Sequence, residues 1–507
     1  MNKNEISGFI LNLLLIILNT FMGFLYTPTL VRFLGIDYFA IYILLTTFVG
    51  YLALTDFGIN GSIVRFISKF RLNNDNESQS RFLGALCIIY FFVSIIILIL
   101  SLILYSNFPI LLPNYHLNRA IISIIYWILV LNLLVSLPFG ILPNLIEGFG
   151  KFSIVKLAKM TNLIFRTISI LILFNLNIGF NLLSLVIFDL ILTLTFSIFY
   201  LYISLRKLNI KFIIDRKVFS SIREIFEYSF FIFILALVNQ FYWRTGNIVL
   251  SLNGNSQDIA SHSISMLIIN NMLLLTPSLS QILFPKTTSL VFPLDNNKLS
   301  NLMINVGKIQ FGILFGFFFI FLLIGKQFIL LWLGSGFESV YFITIIYLLS
   351  ISLQSNLAIG TNVLKTLNLH KYEAYIYFVS SILFIFISFF SSRYLGIYGI
   401  AFSSFICLFL IQGGLIIKLI SFKLKIRLLS LITRIFKSFS IPFLILILLH
   451  LSSRDFILID NWAVLIFYSF LFGILYIILF LFFTLNKQEK ITYKQFLFSI
   501  FKKKLKN

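Results

Sequence analysis

The chain has 507 residues, 60% of them hydrophobic and only 11% charged, with a formal net charge of +22 and a mean hydropathy of +1.03. Soluble domains are about a quarter charged and about half apolar, so a water-soluble fold is excluded. The positive charge would suit nucleic acid only if it formed a patch, and its distribution along the chain decides otherwise.

The first apolar stretch, Phe9 to Val31, is too long for the core of a signal peptide and has no small-residue cleavage site, so it reads as a retained span. Runs long enough to cross a hydrocarbon core of about 30 Å then recur to the end of the chain. They predict spans at 8–30, 39–62, 82–108, 119–146, 160–176, 182–205, 228–251, 259–285, 304–330, 341–364, 374–392, 397–417, 436–452 and 462–485. The expected fold class is an all-α integral membrane protein of about 14 transmembrane helices. With the N-terminus inside, the outer loops hold Arg32, Arg119, Lys326, Arg393 and Arg454, and Arg166 and Arg244 fall within spans. Every other one of the 39 Lys and Arg residues is on the inner side. This is the positive-inside bias. It puts both termini in the cytoplasm and accounts for the charge without nucleic acid. The tail "FKKKLKN" reads as an inside anchor with some attraction for anionic lipid. Cys87 and Cys407 both lie in apolar runs and point to no metal or redox chemistry.

A repeat runs through the chain at an offset of about 220 residues. It aligns Lys151 with Lys371, Phe152 with Tyr372, Gly179 with Gly399, and the short outer loops at 33–42 and 252–262. An even number of spans per repeat gives both copies the same topology, as in transporters with parallel repeats. The expected organisation is an N-lobe at 1–210 (spans 1–6), a C-lobe at 211–430 (spans 7–12) and an appended hairpin with a basic cytoplasmic tail at 431–507.

The stretch "YTPTLVRFLGIDYFAIYILLTTFVGYLALTDFGINGSIVRFISKF" (26–70) resembles the opening of the Wzx-type polysaccharide repeat-unit flippases. These belong to the multidrug/oligosaccharidyl-lipid/polysaccharide exporter superfamily. The resemblance rests on Thr27, Pro28, Leu34, Gly35, Asp56, Gly58, Arg65 and Phe66, and on "LFPKTTSL" (283–290) and the Gly-x-Tyr-Gly-x-Ala at 396–401. It implies a MATE-like fold in the bacterial cytoplasmic (inner) membrane. It also implies that the chain moves an undecaprenyl-diphosphate-linked oligosaccharide, for O-antigen, capsule or a related glycan, to the outer leaflet without breaking a covalent bond. Implied partners are that lipid-linked substrate, membrane lipids, and polysaccharide polymerase and ligase components.

Such a substrate carries a diphosphate and many hydroxyls, both costly in hydrocarbon. A wet, hydrogen-bonding lining is therefore needed. In span 7, Gln240, Arg244, Asn247 and Ser251 recur at helical spacing and share one face. Span 1 carries Asn12, Asn19, Gly23 and Thr27, span 8 Asn270 and Asn271, and span 10 Gln354, Asn356 and Asn362. The repeat would set spans 1 and 7 on the same cleft. The expected substrate cavity is Arg244, Gln240, Asn247, Asn19, Asn270 and Gln354. A mid-span arginine costs about 2.5–3.5 kcal/mol on insertion scales. Arg244 either binds phosphate or acidic sugar, or it snorkels outward or pairs with backbone carbonyls.

Counted from Gly179 at 1.5 Å per residue, Arg166 and Asp189 differ in depth by about 5 Å. They read as a structural ion pair, with a proton or cation coupling role for Asp189 as the rival. Asp56 and Arg65 flank the glycines Gly58 and Gly61 at the inner end of span 2. They are candidates for a gate or coupling site, or for satisfying a helix irregularity. Pro28, Pro138, Pro143 and Pro277 would kink their spans. The four histidines lack metal-ligand spacing. No nucleotide loop occurs. No enzyme, cofactor or metal is expected, and H+ or Na+ is the possible coupling ion. The rivals are a cation- or proton-coupled drug antiporter, a lipid II flippase, and a non-transporting membrane anchor or enzyme subunit. The first should have twelve spans and an acidic N-lobe cavity, the second more arginines along spans 1 and 2.

Overall fold

The computed structural model describes residues 3–485 apart from 113–117, 176–181, 209–210, 216–217, 254, 283, 292–295, 368 and 454–458. Gly179 and the basic tail thus lie outside the described residues. The helices are α1 (Lys3–Leu52), α2 (Ile59–Leu72), α3 (Asn76–Ser106), α4 (Phe108–Leu111), α5 (Arg119–Phe139), α6 (Ile141–Gly148), α7 (Phe152–Asn175), α8 (Leu182–Leu208) and α9 (Val218–Asn253). They continue as α10 (Ser256–Ile282), α11 (Phe284–Val291), α12 (Asn296–Leu333), α13 (Glu338–Thr366), α14 (His370–Ser404), α15 (Gly413–Leu424), α16 (Leu428–Ser453) and α17 (Trp462–Leu479). No strand occurs among the described residues. In hydrocarbon a helix satisfies its own backbone, whereas an open strand does not.

Among the described residues, eight helices are long and apolar enough to cross a membrane, or ten if two bent pairs are each one span. The expected count of about 14 exceeds this for two reasons. Predicted spans 1 and 2 run together through α1, which kinks at Gly35 with φ 73° and ψ 166°. Predicted spans 11 and 12 run together through α14, kinked at Gly396. In addition, α7 and α10, holding predicted spans 5 and 8, run into positions outside the described residues, and the count covers described residues alone.

Two compact units divide the chain. Unit 1 is Met1–Ser263 with Ile385–Ile400, so α9, predicted span 7, falls in the same unit as the first six predicted spans and packs on α1, α2 and α3. The helical run from α1 to α2 breaks at a 3₁₀ turn, Ala53–Asp56, followed by Phe57 and Gly58 in left-handed conformation. Gly58 is required twice over. Its φ is +73°, and a Cβ there would come within 2.8 Å of the Phe233 backbone nitrogen on α9. Facing helices α6, α7 and α8 bury Leu142, Ile146, Val155, Ala158, Tyr200 and Ile203 in one cluster. Their outward faces expose Leu157, Phe165, Ile198 and Phe199, as lipid contact requires.

Unit 2 is Ile264–Phe384 with Ala401–Asn507. Apolar lipid removes most of the hydrophobic drive between helices, so close approach and hydrogen bonds do more of the work. The seam between α12 and α17 shows this. Gly312 and Gly316 stand four apart on α12, and Tyr476 lies over them, its hydroxyl donating to the Gly312 carbonyl at 2.6 Å. A Cβ on Gly316 would meet the Tyr476 ring at 2.5 Å. Around this seam Phe319, Leu323, Leu446, Leu465 and Phe472 form a buried cluster.

Candidate functional site: the polar face of α9

Three of the four polar residues on the predicted face of α9 reach across to the second half of α1. Gln240 Nε2 donates to the Gly50 carbonyl at 2.8 Å. Arg244 Nη1 donates to the Thr46 carbonyl at 3.1 Å. Asn247 Nδ2 donates to Thr47 Oγ1 at 3.2 Å. Ser251 turns back onto its own helix, donating to the Ile248 carbonyl at 2.7 Å. The face therefore fronts the segment predicted as span 2, whereas the repeat would have set it opposite span 1. Gly50 permits this, since a Cβ there would stand 2.8 Å from Arg244 Nη1.

Tyr51 and His262 complete the arrangement. The Tyr51 hydroxyl lies 2.5 Å from Thr245 Oγ1 and donates to the Gln240 carbonyl at 3.2 Å. Asn247 Oδ1 accepts from Ser263 Oγ at 3.1 Å and faces His262 Nδ1 at 2.8 Å. An amide oxygen only accepts, so Nδ1 carries the proton in that contact. His262, Thr46, Thr47 and Tyr51 escape a search for charged or metal-binding patterns. The one available signal was the group Thr46, Thr47 and Tyr51, polar positions in an otherwise apolar run.

Arg244 is surface-exposed although it lies mid-helix. A guanidinium has five N–H donors. Among the described residues only the bond to Thr46 uses one of them. Asn19 is exposed on α1, and in unit 2 Asn270 is exposed on α10 while Gln354 is half-buried on α13. None of these three has a hydrogen-bond partner among the described residues. Asn19 belongs to unit 1 with Arg244.

The other candidates fall into two separate groups in unit 1. Arg166 Nη2 donates to Asp189 Oδ2 at 2.7 Å, joining α7 to α8. The same nitrogen reaches the Tyr42 hydroxyl at 3.4 Å, and the guanidinium carbon lies 6.0 Å from the Tyr26 ring centre. The Arg166 Nε atom is buried without a partner among the described residues. Asp56 ends the 3₁₀ turn and accepts from the Asn60 backbone at 3.2 Å and from Asn60 Nδ2 at 3.0 Å. The Tyr90 hydroxyl donates to Oδ1, the oxygen that also accepts from Asn60 Nδ2. Asn144 Nδ2 donates to Asn60 Oδ1 at 3.2 Å, tying α6 into the network. Tyr90, Asn60 and Asn144 come from three helices, so nothing local in the sequence marks them as a set. Arg65 is not paired with Asp56. It is exposed and lies over the Tyr228 ring, 4.0 Å from its centre.

A family model described as polysaccharide biosynthesis protein matches residues 6–294. The chain belongs to that family. The match contains the 26–70 stretch on which the sequence resemblance rests. Among solved structures, the fold is similar to the lipid II flippase MurJ in its inward closed conformation, with a TM-score of 0.70 and 16% identity. That alignment covers 97% of this chain and 100% of that one. It is also similar to an inward-facing multidrug resistance MATE family transporter of the MOP superfamily, at TM-score 0.57 and 15% identity over 83% of this chain and 95% of that chain. The eukaryotic MATE transporter AtDTX14 follows at 0.56 and 13% identity, over 82% and 96% respectively. No curated protein matches the sequence. This polysaccharide biosynthesis protein is thus a multi-pass membrane protein with a MATE-like, all-helical fold.

Proposed function

We propose that the chain flips an undecaprenyl-diphosphate-linked oligosaccharide from the cytoplasmic to the outer leaflet of the bacterial inner membrane by alternating access. The observation that carries the reading is Arg244: an exposed guanidinium in the middle of an apolar helix, with one donor spent on Thr46 and the rest of its fork available. A guanidinium binds phosphate oxygens bidentately. Tyr51, Gln240 and Asn247 hold the two helices together beside it, so it is presented from a fixed scaffold. Transport needs no covalent chemistry from the protein. O-antigen or capsular glycan is the expected cargo.

Lipid II transport is the second reading. The observation in its favour is that the MurJ fold extends over 97% of this chain, α16 and α17 included, against 82–83% for the MATE transporters named above.

The test uses cells lacking the chain. Undecaprenyl-linked lipids are extracted and identified by mass spectrometry, then compared after restoring the native chain, Arg244→Lys or Arg244→Ala. One diphosphate-linked oligosaccharide should accumulate. The native chain should clear it, Arg244→Lys in part, and Arg244→Ala not at all. Accumulation of lipid II would favour the second reading. An unchanged lipid-linked glycan pool would overturn both.

A further inference from the structure

We propose that unit 1 contains a second anion site, away from Arg244, which takes the phosphate of a membrane lipid headgroup or a free phosphate. The site is a cavity of about 250 Å³ between α5, α7 and α8. Lys159, Asn162, Ser136, Thr193, Ser197 and Tyr200 supply its polar lining. The sequence sets these groups in register. Lys159 and Asn162 share a face of α7, and Thr193, Ser197 and Tyr200 share a face of α8. The Arg166–Asp189 pair continues both faces by one further helical turn.

What points to a ligand is unspent hydrogen-bonding capacity. Ser197 is 7% exposed and Tyr200 8%, yet neither hydroxyl has a hydrogen-bond partner among the described residues. Lys159 is exposed and forms no ion pair among the described residues, although Glu147, which holds its neighbour Lys156 at 3.3 Å, acts electrostatically on both Lys159 and Tyr200. Asn162 is also without a hydrogen-bond partner among the described residues. Two other hydroxyls are occupied as donors but keep acceptor capacity. Ser136 donates to the Leu133 carbonyl at 3.2 Å and Thr193 to the Asp189 carbonyl at 2.9 Å. Buried polar groups normally find partners. Here two buried hydroxyl residues, with the half-buried Asn162 amide and the exposed Lys159 ammonium beside them, line a single space. All four can donate, and together they suit a compact anion with several oxygens.

Size and setting narrow the class. Pockets for drug-sized ligands run to about 300–1,000 Å³, so this space suits a headgroup fragment and not an oligosaccharide. The cavity lies between helices whose flanking faces expose Leu131, Phe165, Leu194 and Phe199 to lipid. Acyl chains could stay in the bilayer while the phosphate enters. Basic pockets between transmembrane helices bind anionic headgroups in this way. This site does not depend on which substrate Arg244 meets.

The test uses the full purified chain, delipidated, with phosphatidylglycerol, diacylglycerol of the same acyl chains, or inorganic phosphate. Native mass spectrometry counts retained lipid, and thermal unfolding gives the stabilisation. Phosphatidylglycerol should be retained by the native chain and by Lys159→Arg. Its affinity should fall about tenfold or more in Lys159→Ala, as expected for loss of a charged hydrogen bond. Ser197→Ala and Tyr200→Phe, each removing only a hydroxyl, should weaken retention without unfolding the chain. Full stabilisation by inorganic phosphate would identify a free anion as the occupant; stabilisation by phosphatidylglycerol alone would identify the lipid. Equal retention by the native chain and all three weakened variants, or equal protection by diacylglycerol, overturns the site.

Discussion

Removing Arg166 and Asp189 singly and together gives a direct measure of what joins α7 to α8. The pair is 2.7 Å apart, with the Asp189 side chain 15% exposed and that of Arg166 33%. Two unit charges about 4 Å apart attract by about 4 kcal/mol at an effective dielectric constant of about 20. Losing one partner of a buried pair costs about 3–5 kcal/mol, because the other charge is left uncompensated. The two single changes should differ. With Arg166→Ala, the Asp189 carboxylate has no other hydrogen bond among the described residues, so the full range of about 3–5 kcal/mol is expected. With Asp189→Ala, Arg166 is more exposed and keeps the Tyr42 hydroxyl, so about 2–3 kcal/mol is expected after allowing for screening. The double change should cost less than the sum of the two by about 1–3 kcal/mol. Denaturant unfolding of the purified chain in detergent, followed by tryptophan fluorescence, reads all three. Additivity within about 0.5 kcal/mol would refute the ion pair as the link between these helices. A normally stable Asp189→Asn chain that fails to clear lipid-linked glycan would instead assign Asp189 to coupling.

Two further changes test the packing. Gly58→Ala forces a side chain into left-handed backbone and towards the Phe233 nitrogen 2.8 Å away, and should destabilise by about 1–3 kcal/mol or more. Detergent unfolding checks it, and a neutral result would mean that the α1–α2 break can be rebuilt without cost. Tyr476→Phe removes the hydroxyl donated to Gly312 but keeps the ring over Gly316. It should cost about 0.5–1.5 kcal/mol. A much larger loss in the same assay would show that the ring had moved as well.

Hydropathy, charge bias and helical period are local quantities, and the sequence by itself determined what depends on them. The apolar runs require helices because they are about 20 residues long, twice what a barrel strand needs, and a helix satisfies its backbone within one segment. The shared face of Gln240, Arg244 and Asn247 follows from 3.6 residues per turn. Arg166 and Asp189 come level because depth is additive along two adjoining spans. The family resemblance was also legible, in a stretch of 45 residues at 26–70.

Only the tertiary structure decided what those groups touch. Arg244 and Gln240 bond to the carbonyls of Thr46 and Gly50, and a backbone carbonyl leaves no trace in residue identity. Asp56 meets Tyr90 from a different helix. The space shared by Lys159, Ser197 and Tyr200 exists because α5, α7 and α8 fail to close against one another there. A cavity is set by three surfaces at once. No periodicity along one chain segment contains it, since packing is a property of how helices meet and not of any helix alone.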